Sequence, residues 1–273
     1  MKRIKWLLLA TLGLVLCWWF NTCTLKTDRV AIESEKIKDT VTIVQLTDLH
    51  GASFGFDNSR LKERIRKEEP DLIVVTGDMY TAGDEKGRDK ALSLLTELAQ
   101  ETPVFLVNGE HDADSDYLER CRQAGVHVMD YKTETLQVGE TTLRLYGITN
   151  QYYSPTFDLT NEFTLDQEAY SILLAHIPNL PKFARFGEDL ALCGDTHGGQ
   201  IRLPFIGGLY HDGSWFPELI SGTQEEPVCV KGLYEMENTK MFISSGLGNY
   251  PLPVRFWNRP EVAVITLQPM GTN

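Results

Sequence analysis

The chain has 273 residues, of which 42% are hydrophobic and 23% charged, so it has the composition of a folded domain and not of a disordered protein. Its formal net charge of −12 argues against a nucleic-acid partner, because phosphate backbones are bound by surfaces rich in Lys and Arg. Its five cysteines show no C-x-x-C spacing, so neither a disulfide framework nor a zinc ribbon is indicated.

The first predicted element is an N-terminal membrane anchor over residues 1–25. Lys2, Arg3 and Lys5 precede an apolar run, and about 20 such residues cross the roughly 30 Å hydrocarbon layer. The basic flank predicts a single-pass protein of the cell membrane, with its N-terminus in the cytoplasm and the rest of the chain outside. A cleaved signal peptide is the alternative, although the bulky residues 18–20 make a poor cleavage site.

The remainder of the chain predicts a short tether followed by one domain. Residues 26–39 are polar and charged without an apolar period, which is typical of a tether. In the domain, 40–273, near-continuous apolar runs predict buried strands at 40–46, 71–76, 103–107, 171–175 and 189–193. Apolar spacing of the helical type predicts helices at 59–69, 90–100 and 115–123. Further strands are expected within 126–148 and 230–267, so the sequence predicts an α/β fold with two mixed sheets packed as a sandwich between flanking helices.

Side chains of the metal-binding type follow these apolar runs, at the strand ends where open α/β sheets place their sites. In chain order they are Asp48 and His50, Asp78, Glu110 with His111 and Asp112, His176, and Asp195 with His197. Each signal alone is weak, because Gly-Asp is commonly a turn and a lone His is commonly a core residue. Together they predict two adjacent divalent metals, since Asp and His are common ligands and carboxylates can bridge two ions.

The order and spacing of these motifs resemble the calcineurin-like metallophosphoesterases, especially their membrane-associated bacterial branch. That family shows Asp-x-His, Gly-Asp, Gly-Asn-His-Asp/Glu, His and Gly-His-x-His in this order, and the resemblance covers residues 41–267. It includes the run 196–200 and the run 246–248, which leads to residues 253–256. The resemblance implies a metal-dependent phosphohydrolase with a dinuclear metal centre. It also implies a ligand set, in which the first metal takes Asp48, His50 and His197, Asp78 bridges, and the second takes Glu110, His176 and Asp195.

Two positions depart from the family pattern, and both belong to the second metal. Glu110 stands where the family has Asn, and Asp195 where it has the first His of the last motif. Two additional carboxylates favour Mn or Fe as the cofactor, with Zn or Mg as alternatives. Because ligand-type residues replace other ligand-type residues, we favour an active enzyme over the alternative, a non-catalytic metal-dependent binding or sensor domain.

Neighbouring residues are candidates for catalysis and substrate binding. We expect His111 to be the general acid that protonates the leaving oxygen after attack by a hydroxide activated by the two metals. Asp112 is expected either to orient His111 or to cap the following helix. Arg202 and Arg255 are candidates for clamping the substrate phosphate, with solvent-exposed arginines as the alternative.

The segment 203–217 is rich in apolar and aromatic residues and directly follows the last metal motif. Next to a membrane it predicts a lip that admits an acyl chain, and a loop packed over the sheet edge is the alternative. We therefore expect phosphodiester or pyrophosphate substrates, with lipid-linked and other envelope phosphates as the first candidates. A secreted nuclease is disfavoured by the acidic charge.

Overall fold

The computed structural model describes residues 2–149, 154, 156–211, 214–216 and 228–271. Its first element is α1 (Lys2–Cys23), a helix that is long and apolar enough to cross a membrane. Every residue of α1 from Lys2 to Phe20 is exposed. The next two residues, Asn21 and Thr22, are buried, so the last turn of the helix packs against the domain.

The domain is built from two six-stranded mixed sheets and several short hairpin strands. In chain order the strands are β1 (Lys26–Ser34), β2 (Val41–Leu46), β3 (Leu72–Val75), β4 (Val104–Leu106), β5 (His127–Val128), β6 (Lys132–Val138), β7 (Thr141–Gly147), β8 (Tyr170–Leu174), β9 (Leu190–Cys193), β10 (Arg202–Leu203), β11 (Gly207–Gly208), β12 (Tyr210–His211), β13 (Ser214–Trp215), β14 (Gly232–Met236), β15 (Thr239–Ile243) and β16 (Glu261–Pro269). Sheet A has the order β1-β16-β2-β3-β4-β5, and sheet B has the order β14-β15-β9-β8-β7-β6.

Five helices connect the strands: α2 (Ser59–Arg66), α3 (Glu85–Ala99), α4 (Ser115–Gln123), α5 (Leu159–Glu162) and α6 (Leu180–Phe186). Helix α3 begins earlier than the predicted residue 90. Asp84 explains this difference, because its side chain accepts a hydrogen bond from the Gly87 amide and so caps the helix one turn upstream. Asp114 caps α4 in the same way, through the amides of Asp116 and Tyr117.

The two sheets pack face to face and carry helices on their outer faces. Alternation along the strands directs Ile43 and Val74 of sheet A and Ile172 of sheet B into one cluster between the sheets. The opposite face of sheet A is covered by apolar residues of α2, α3 and α4, and that of sheet B by α6 and α5. This arrangement confirms the predicted α/β sandwich with flanking helices.

The parallel strands bring the functional loops together. In sheet A, β2, β3, β4 and β5 run parallel, and in sheet B, β7, β8, β9 and β15 run parallel. Because the carboxyl ends of parallel strands meet at one edge, the loops after β2, β3 and β4 lie side by side, as do those after β8, β9 and β15.

At residues 26–39 the structure differs from the expected tether. Lys26–Ser34 form β1, which pairs in parallel with β16 along its whole length. The reason is packing, because Ile32 and Ile37 are buried in the cluster between the sheets and Val30 packs against it. Arg29 and Glu33 alternate with Val30 and Ile32 and are exposed, whereas Lys26 and Asp28 lie on the same side as Ile32 and are half-buried. These charged residues give the segment its polar composition.

Candidate metal centre

The predicted ligands sit on tight loops directly after the strands. Five of them have a positive backbone φ, a conformation that is uncommon for residues other than Gly: Asp48 (51°), His50 (46°), Asp78 (54°), Asp195 (69°) and His197 (50°). Such backbones persist where the surrounding structure holds them, and they concentrate at functional sites. Hydrogen bonds provide this support, since the amides of Asp48 and His50 donate to the carbonyls of Gly77 and Asp78.

The first cluster of ligand atoms comes from Asp48, His50 and His197, which lie within 4.8 Å of one another. The Nε2 atoms of His50 and His197 are 3.2 Å apart, and Nε2 of His197 is 4.0 Å from Oδ1 of Asp48. Two metal–nitrogen bonds of about 2.0–2.1 Å at a tetrahedral angle hold their nitrogens about 3.3 Å apart. The spacing of the two imidazoles therefore fits a shared cation.

The second cluster comes from Asp48, Asp78 and His176. Oδ2 of Asp78 lies 3.4 Å from Nε2 of His176 and 3.7 Å from Nε2 of His50. Asp78 thus stands between a histidine of each cluster, which is the position of a bridging carboxylate. Asp195 lies beside this cluster, with its Oδ1 3.7 Å from Nε2 of His176.

Buried polar atoms in the centre provide a test of whether a cation fits. Oδ2 of Asp48 and Nε2 of His176 are fully buried and have no hydrogen-bond partner among the described residues. Leaving such atoms unsatisfied is unfavourable, and a cation between them would satisfy both. Nδ1 of His176 lies 2.7 Å from the carbonyl of Thr76 and donates to it, so the lone pair of Nε2 points into the cluster. The residues present therefore fit divalent metal ions.

Burial and charge set the protonation of these groups. Burial lowers the pKa of His50 to about 4, and burial, Arg255 and His50 hold the pKa of His197 well below its usual value. Both imidazoles are therefore neutral, which is the form that binds metals. Burial raises the pKa of Asp48 to about 7. For His176, the neighbouring Asp78 outweighs burial and raises the pKa well above normal, so a metal would displace protons from the metal-free cluster.

Asp195 lies next to the clusters, whereas Glu110 is a predicted ligand that the structure places away from them. Its side chain is exposed and lines a neighbouring polar cavity with Tyr80 and Arg88. Gly109 takes the place next to the metal ligands instead, since a Cβ at Gly109 would clash with Oδ1 of Asp78 and lie 2.8 Å from Nε2 of His176. The close approach of this backbone directs the side chain of the next residue outwards.

His111 and Asp112 follow on the same loop and are placed differently. The amide of His111 donates to Oδ1 of Asp78 at 2.9 Å, and its half-buried ring meets the His50 ring edge-on, with 5.2 Å between centroids. Asp112 is fully buried and accepts hydrogen bonds from the amides of Met79 and Gly109. Its carboxylate thus ties two ligand loops together, which differs from both expected roles, since α4 is capped by Asp114.

Both predicted substrate arginines brace the loops of the last motif. Arg255 is fully buried, donates to the carbonyl of Gly248 at 2.6 and 2.9 Å, and has Nη2 3.4 Å from Nδ1 of His197. This differs from the expected phosphate clamp, because a side chain without exposed surface cannot reach a substrate. Arg202 is half-buried and donates to the carbonyl of Gly198 at 3.0 Å.

The sequence analysis missed Tyr250 as a site residue. Its ring stacks on the His50 ring at 4.7 Å with 18° between the planes, and it meets His111 edge-on at 4.7 Å. The available signal was its position between residues 246–248 and 253–256, two runs that resemble the family. Tyr250 therefore forms part of the rim of the metal centre.

Two cavities flank this rim. A polar cavity of about 400 Å³ is lined by charged and polar side chains with three small residues: Tyr80, Ala82, Gly83, Asp84, Glu85, Arg88, Glu110, His111, Ala113 and Asp114. An apolar cavity of about 390 Å³ is lined by Ile201, Leu209, Trp215, Pro251 and Leu252, together with Gly199 and Gln200. The segment 203–217, expected to form an apolar lip, contributes two of these residues. Within it, residues 212, 213 and 217 lie outside the described part.

The end of α1 holds the segment that follows the metal centre. Oδ1 of Asn21 accepts from the amide of Trp257 at 2.9 Å, and Oγ1 of Thr22 accepts from the amide of Arg255 at 3.2 Å. Since Arg255 lies against His197, the helix and a predicted metal ligand are linked through a single residue.

A sequence model of the calcineurin-like phosphoesterases matches residues 41–203. Among similar proteins, the uncharacterized metallophosphoesterase YkuE of Bacillus subtilis is 30% identical over 237 residues, which cover 83% of this chain and 78% of YkuE. The phosphodiesterase YaeI of Escherichia coli is 28% identical over 240 residues, which cover 82% of this chain and 81% of YaeI. A solved Staphylococcus aureus structure with a provisional 5′-nucleotidase description shares the fold, with a TM-score of 0.50 and 10% sequence identity. The match covers 76% of this chain and 49% of that structure's chain.

Proposed function

Because the chain belongs to the calcineurin-like phosphoesterase family and is a metal-dependent phosphohydrolase, we propose that it hydrolyses phosphodiester or pyrophosphate bonds of envelope substrates. The observation that carries this proposal is that the two ligand clusters share Asp48, with Asp78 between their histidines. A third group of possible ligands, His50, Asp78 and His111, overlaps both clusters. This arrangement suits a dinuclear centre, since shared carboxylates hold two cations close together.

The protein's own residues divide into two metal-holding sets. Asp48, His50 and His197 would hold one ion, and Asp78 and His176, with Asp195 alongside, would hold the other, with Asp78 in the bridging position. When bound, the two ions activate the attacking water and offset the charge that develops on the phosphate oxygens. The mixed carboxylate and imidazole ligands favour Mn or Fe, with Zn or Mg as alternatives.

His111 serves as the general acid in this proposal. Its ring lies at the rim of the centre, and Nδ1 is 3.4 Å from the amide of Ala82, which donates to it. In that tautomer Nε2 carries the proton, so the ring offers it to the leaving oxygen of a bound ester. The hydrogen bond from the His111 amide to Asp78 fixes the backbone beneath the ring.

The two cavities support an amphiphilic, lipid-linked substrate. The polar cavity suits a hydrophilic headgroup, and the apolar cavity beside Tyr250 suits part of an acyl or isoprenyl chain. The similar protein YaeI is named a phosphodiesterase, which agrees with hydrolysis of a diester. A membrane location would bring such substrates to the site.

We further propose that α1 is retained as a single-pass anchor, with its N-terminus in the cytoplasm and the catalytic domain outside. Lys2, Arg3 and Lys5 lie in the first turn of the helix, as expected for a cytoplasmic end. The buried contacts of Asn21 and Thr22 with the domain support retention over cleavage of a signal peptide.

The test uses the full-length protein, purified in detergent and loaded in turn with Mn, Fe, Zn or Mg. We expect hydrolysis of diesters or pyrophosphates in a panel that includes lipid-linked compounds and monoesters. His111→Asn should lower kcat by about 10²- to 10⁴-fold with unchanged metal content, because it removes only the proton donor. His127→Asn is the matched control, since His127 is exposed and pairs with Glu134.

Two results would count against this function. If metal-loaded protein leaves every ester in the panel intact, the chain is a non-catalytic metal-dependent binding or sensor domain. If His111→Asn loses metal together with activity, His111 is a ligand and not the acid.

A further inference from the structure

A basic cleft lies where α1 joins the domain. Its volume is about 760 Å³, and six cationic residues line it: Lys26, Arg29, Arg60, Arg64, Lys67 and Arg259. Only two acidic residues, Glu63 and Glu68, line it as well. The chain as a whole has 26 Lys and Arg against 38 Asp and Glu, so this cleft has the opposite charge to the protein.

Four of the six cations remain without a carboxylate partner among the described residues. Lys26 pairs with Glu261 at 2.8 Å, and Arg29 pairs with Glu68 at 2.7 Å. Arg64 donates only to the hydroxyl of Thr27, and Arg259 to the oxygens of Thr24 and Leu25. Arg60 and Lys67 form no ion pair in this part of the chain. Within the described part, four cations without an ion pair face a single carboxylate without one, Glu63, so this concave surface keeps an excess of positive charge that suits an anion.

Helix α2 contributes three of these charges from one face. Arg60, Arg64 and Lys67 follow each other at i, i+4 and i+7, with Lys67 directly after the helix. Leu61 and Ile65 occupy the opposite face and are buried in the core. The backbone therefore fixes the three cations side by side along the cleft.

The position of the cleft along α1 identifies the kind of anion. Leu25, Lys26 and Thr27 line it and come directly after the helix end at Cys23. Arg259 also lies beside the end of α1, since its guanidinium is 4.5 Å from the Phe20 ring and donates to the Leu25 carbonyl at 2.7 Å. Where a spanning helix ends, the chain enters the lipid headgroup layer, which carries the phosphates of the bilayer.

We propose that this basic cleft binds the phosphate headgroups of anionic phospholipids in the leaflet next to the domain. Arg guanidinium groups suit phosphate oxygens in a bidentate geometry, and Lys adds a point charge. Bound headgroups hold the domain in a fixed orientation at the bilayer. The cleft shares no lining residue with the metal centre, and the inference rests on the proposed membrane insertion of α1.

The test measures the unfolding temperature of the full-length protein in neutral detergent micelles with added phosphatidylglycerol. We expect phosphatidylglycerol to raise this temperature, phosphatidylcholine to leave it unchanged, and 0.5 M NaCl to weaken the rise, because salt screens exposed charges. Inorganic phosphate at the same concentration should have a smaller effect. An equal rise with inorganic phosphate would mean that the cleft binds a free anion and not a lipid.

Substitutions in the cleft test whether phosphatidylglycerol acts at this site. Arg60→Gln/Arg64→Gln/Lys67→Gln should weaken the affinity for phosphatidylglycerol by about 100-fold, at roughly a factor of 5 for each cation. Arg60→Lys/Arg64→Lys should retain most of the response, which shows that a folded, charged cleft is sufficient. The matched control is Arg120→Gln/Arg122→Gln/Lys132→Gln near β5, at the opposite edge of sheet A from β1, and it should behave like the parent protein.

The outcomes separate this proposal from the anchor on which it rests. If alkaline carbonate extracts the protein from membranes, the insertion of α1 is wrong. If the protein resists extraction but the triple variant responds to phosphatidylglycerol like the parent, the cleft is not the lipid site. Equal loss in the control near β5 would indicate nonspecific charge attraction and would also overturn the proposal.

Discussion

Single residues of the metal centre are held in conformations that their own chemistry does not favour. Asp48, Asp78 and His197 have positive φ, which costs on the order of 1–3 kcal/mol for each such residue. Glycines next to them permit the close contacts, since a Cβ at Gly246 would lie 2.7 Å from Cβ of Asp48. The loops can retain this strain because their backbone groups are hydrogen-bonded to one another.

Glu110 is the residue at which the sequence prediction and the structure disagree about the second metal, and Asp195 is the predicted ligand to compare with it. Asp195 lies beside His176, whereas Glu110 is exposed in the polar cavity. We expect Asp195→Ala to lower the affinity for the second ion by more than about 10-fold. Glu110→Ala should still bind two ions per chain. Metal analysis of the purified variants by mass spectrometry makes the comparison. Loss of an ion in Glu110→Ala would restore the ligand role predicted from the family pattern.

Glu188 makes a pH-dependent contribution to stability. It is fully buried, both carboxylate oxygens lack a partner among the described residues, and burial raises its pKa to about 8. Between its unfolded pKa of 4.5 and this value, the folded protein binds a proton that the unfolded chain releases. Its stabilising contribution is therefore complete below about pH 4.5 and falls by roughly 1.4 kcal/mol per pH unit up to about pH 8.

Glu188→Gln should remove this dependence, because the amide does not ionise. Urea unfolding at several pH values between 5 and 8 would show a smaller loss of unfolding free energy in the variant than in the parent. Equal slopes for the two proteins would mean that Glu188 is ionised in the folded state.

Among the elements of the fold, α1 combines two roles. Its exposed length suits a lipid bilayer, and its buried last turn holds the segment that carries Tyr250 and Arg255. These two residues contact His50 and His197, so the last turn of α1 is part of the scaffold of the metal centre.

Asn21→Ala/Thr22→Val tests this support. Loss of two buried side-chain hydrogen bonds should lower the unfolding free energy by about 1–3 kcal/mol and reduce affinity for the metal that His197 binds. Membrane association should not change. Thr11→Val is the matched control, since the Thr11 hydroxyl bonds only within the helix, to the Leu7 carbonyl. Urea unfolding and metal titrations would check both effects. Normal metal affinity in the double variant would mean that these contacts stabilise the fold without supporting the metal centre.

At the scale of the whole molecule, the metal centre joins the two sheets. Asp48 and Asp78 follow strands of sheet A, whereas His176, Asp195 and His197 follow strands of sheet B. Ions bound between them therefore link the two layers of the sandwich across their common edge.

Metal removal should consequently destabilise the entire domain. A ligand at 100 times its Kd stabilises the folded state by about 2.7 kcal/mol, which corresponds to about 5–10 °C in a domain of this size. We expect a chelator to lower the unfolding temperature by this amount in the parent and much less in Asp78→Asn, which lacks the bridging carboxylate. A parent protein that unfolds at the same temperature with and without chelator would contradict a link between the sheets.

The strands and helices near the site could be read from the sequence because each gives a local signal. The apolar runs at 40–46, 71–76 and 103–107 were found as β2, β3 and β4, and the helix at 115–123 was found as α4. The strand at 26–34 was not recognised, because β1 is a sheet edge whose polar face hides its apolar alternation. The outward direction of the Glu110 side chain also has no signal in the sequence, because it depends on how closely the Gly109 backbone approaches Asp78 and His176.

By itself, the sequence determined the family, the sandwich fold and the order of the metal-binding side chains, because strand patterns and strand-end motifs are local properties of the chain. The tertiary structure decided what each neighbouring side chain faces. It buried Arg255 against His197, turned Glu110 away from the clusters, and placed Tyr250 on His50. These outcomes depend on distances between loops of different strands, and such distances exist only after the two sheets have packed together.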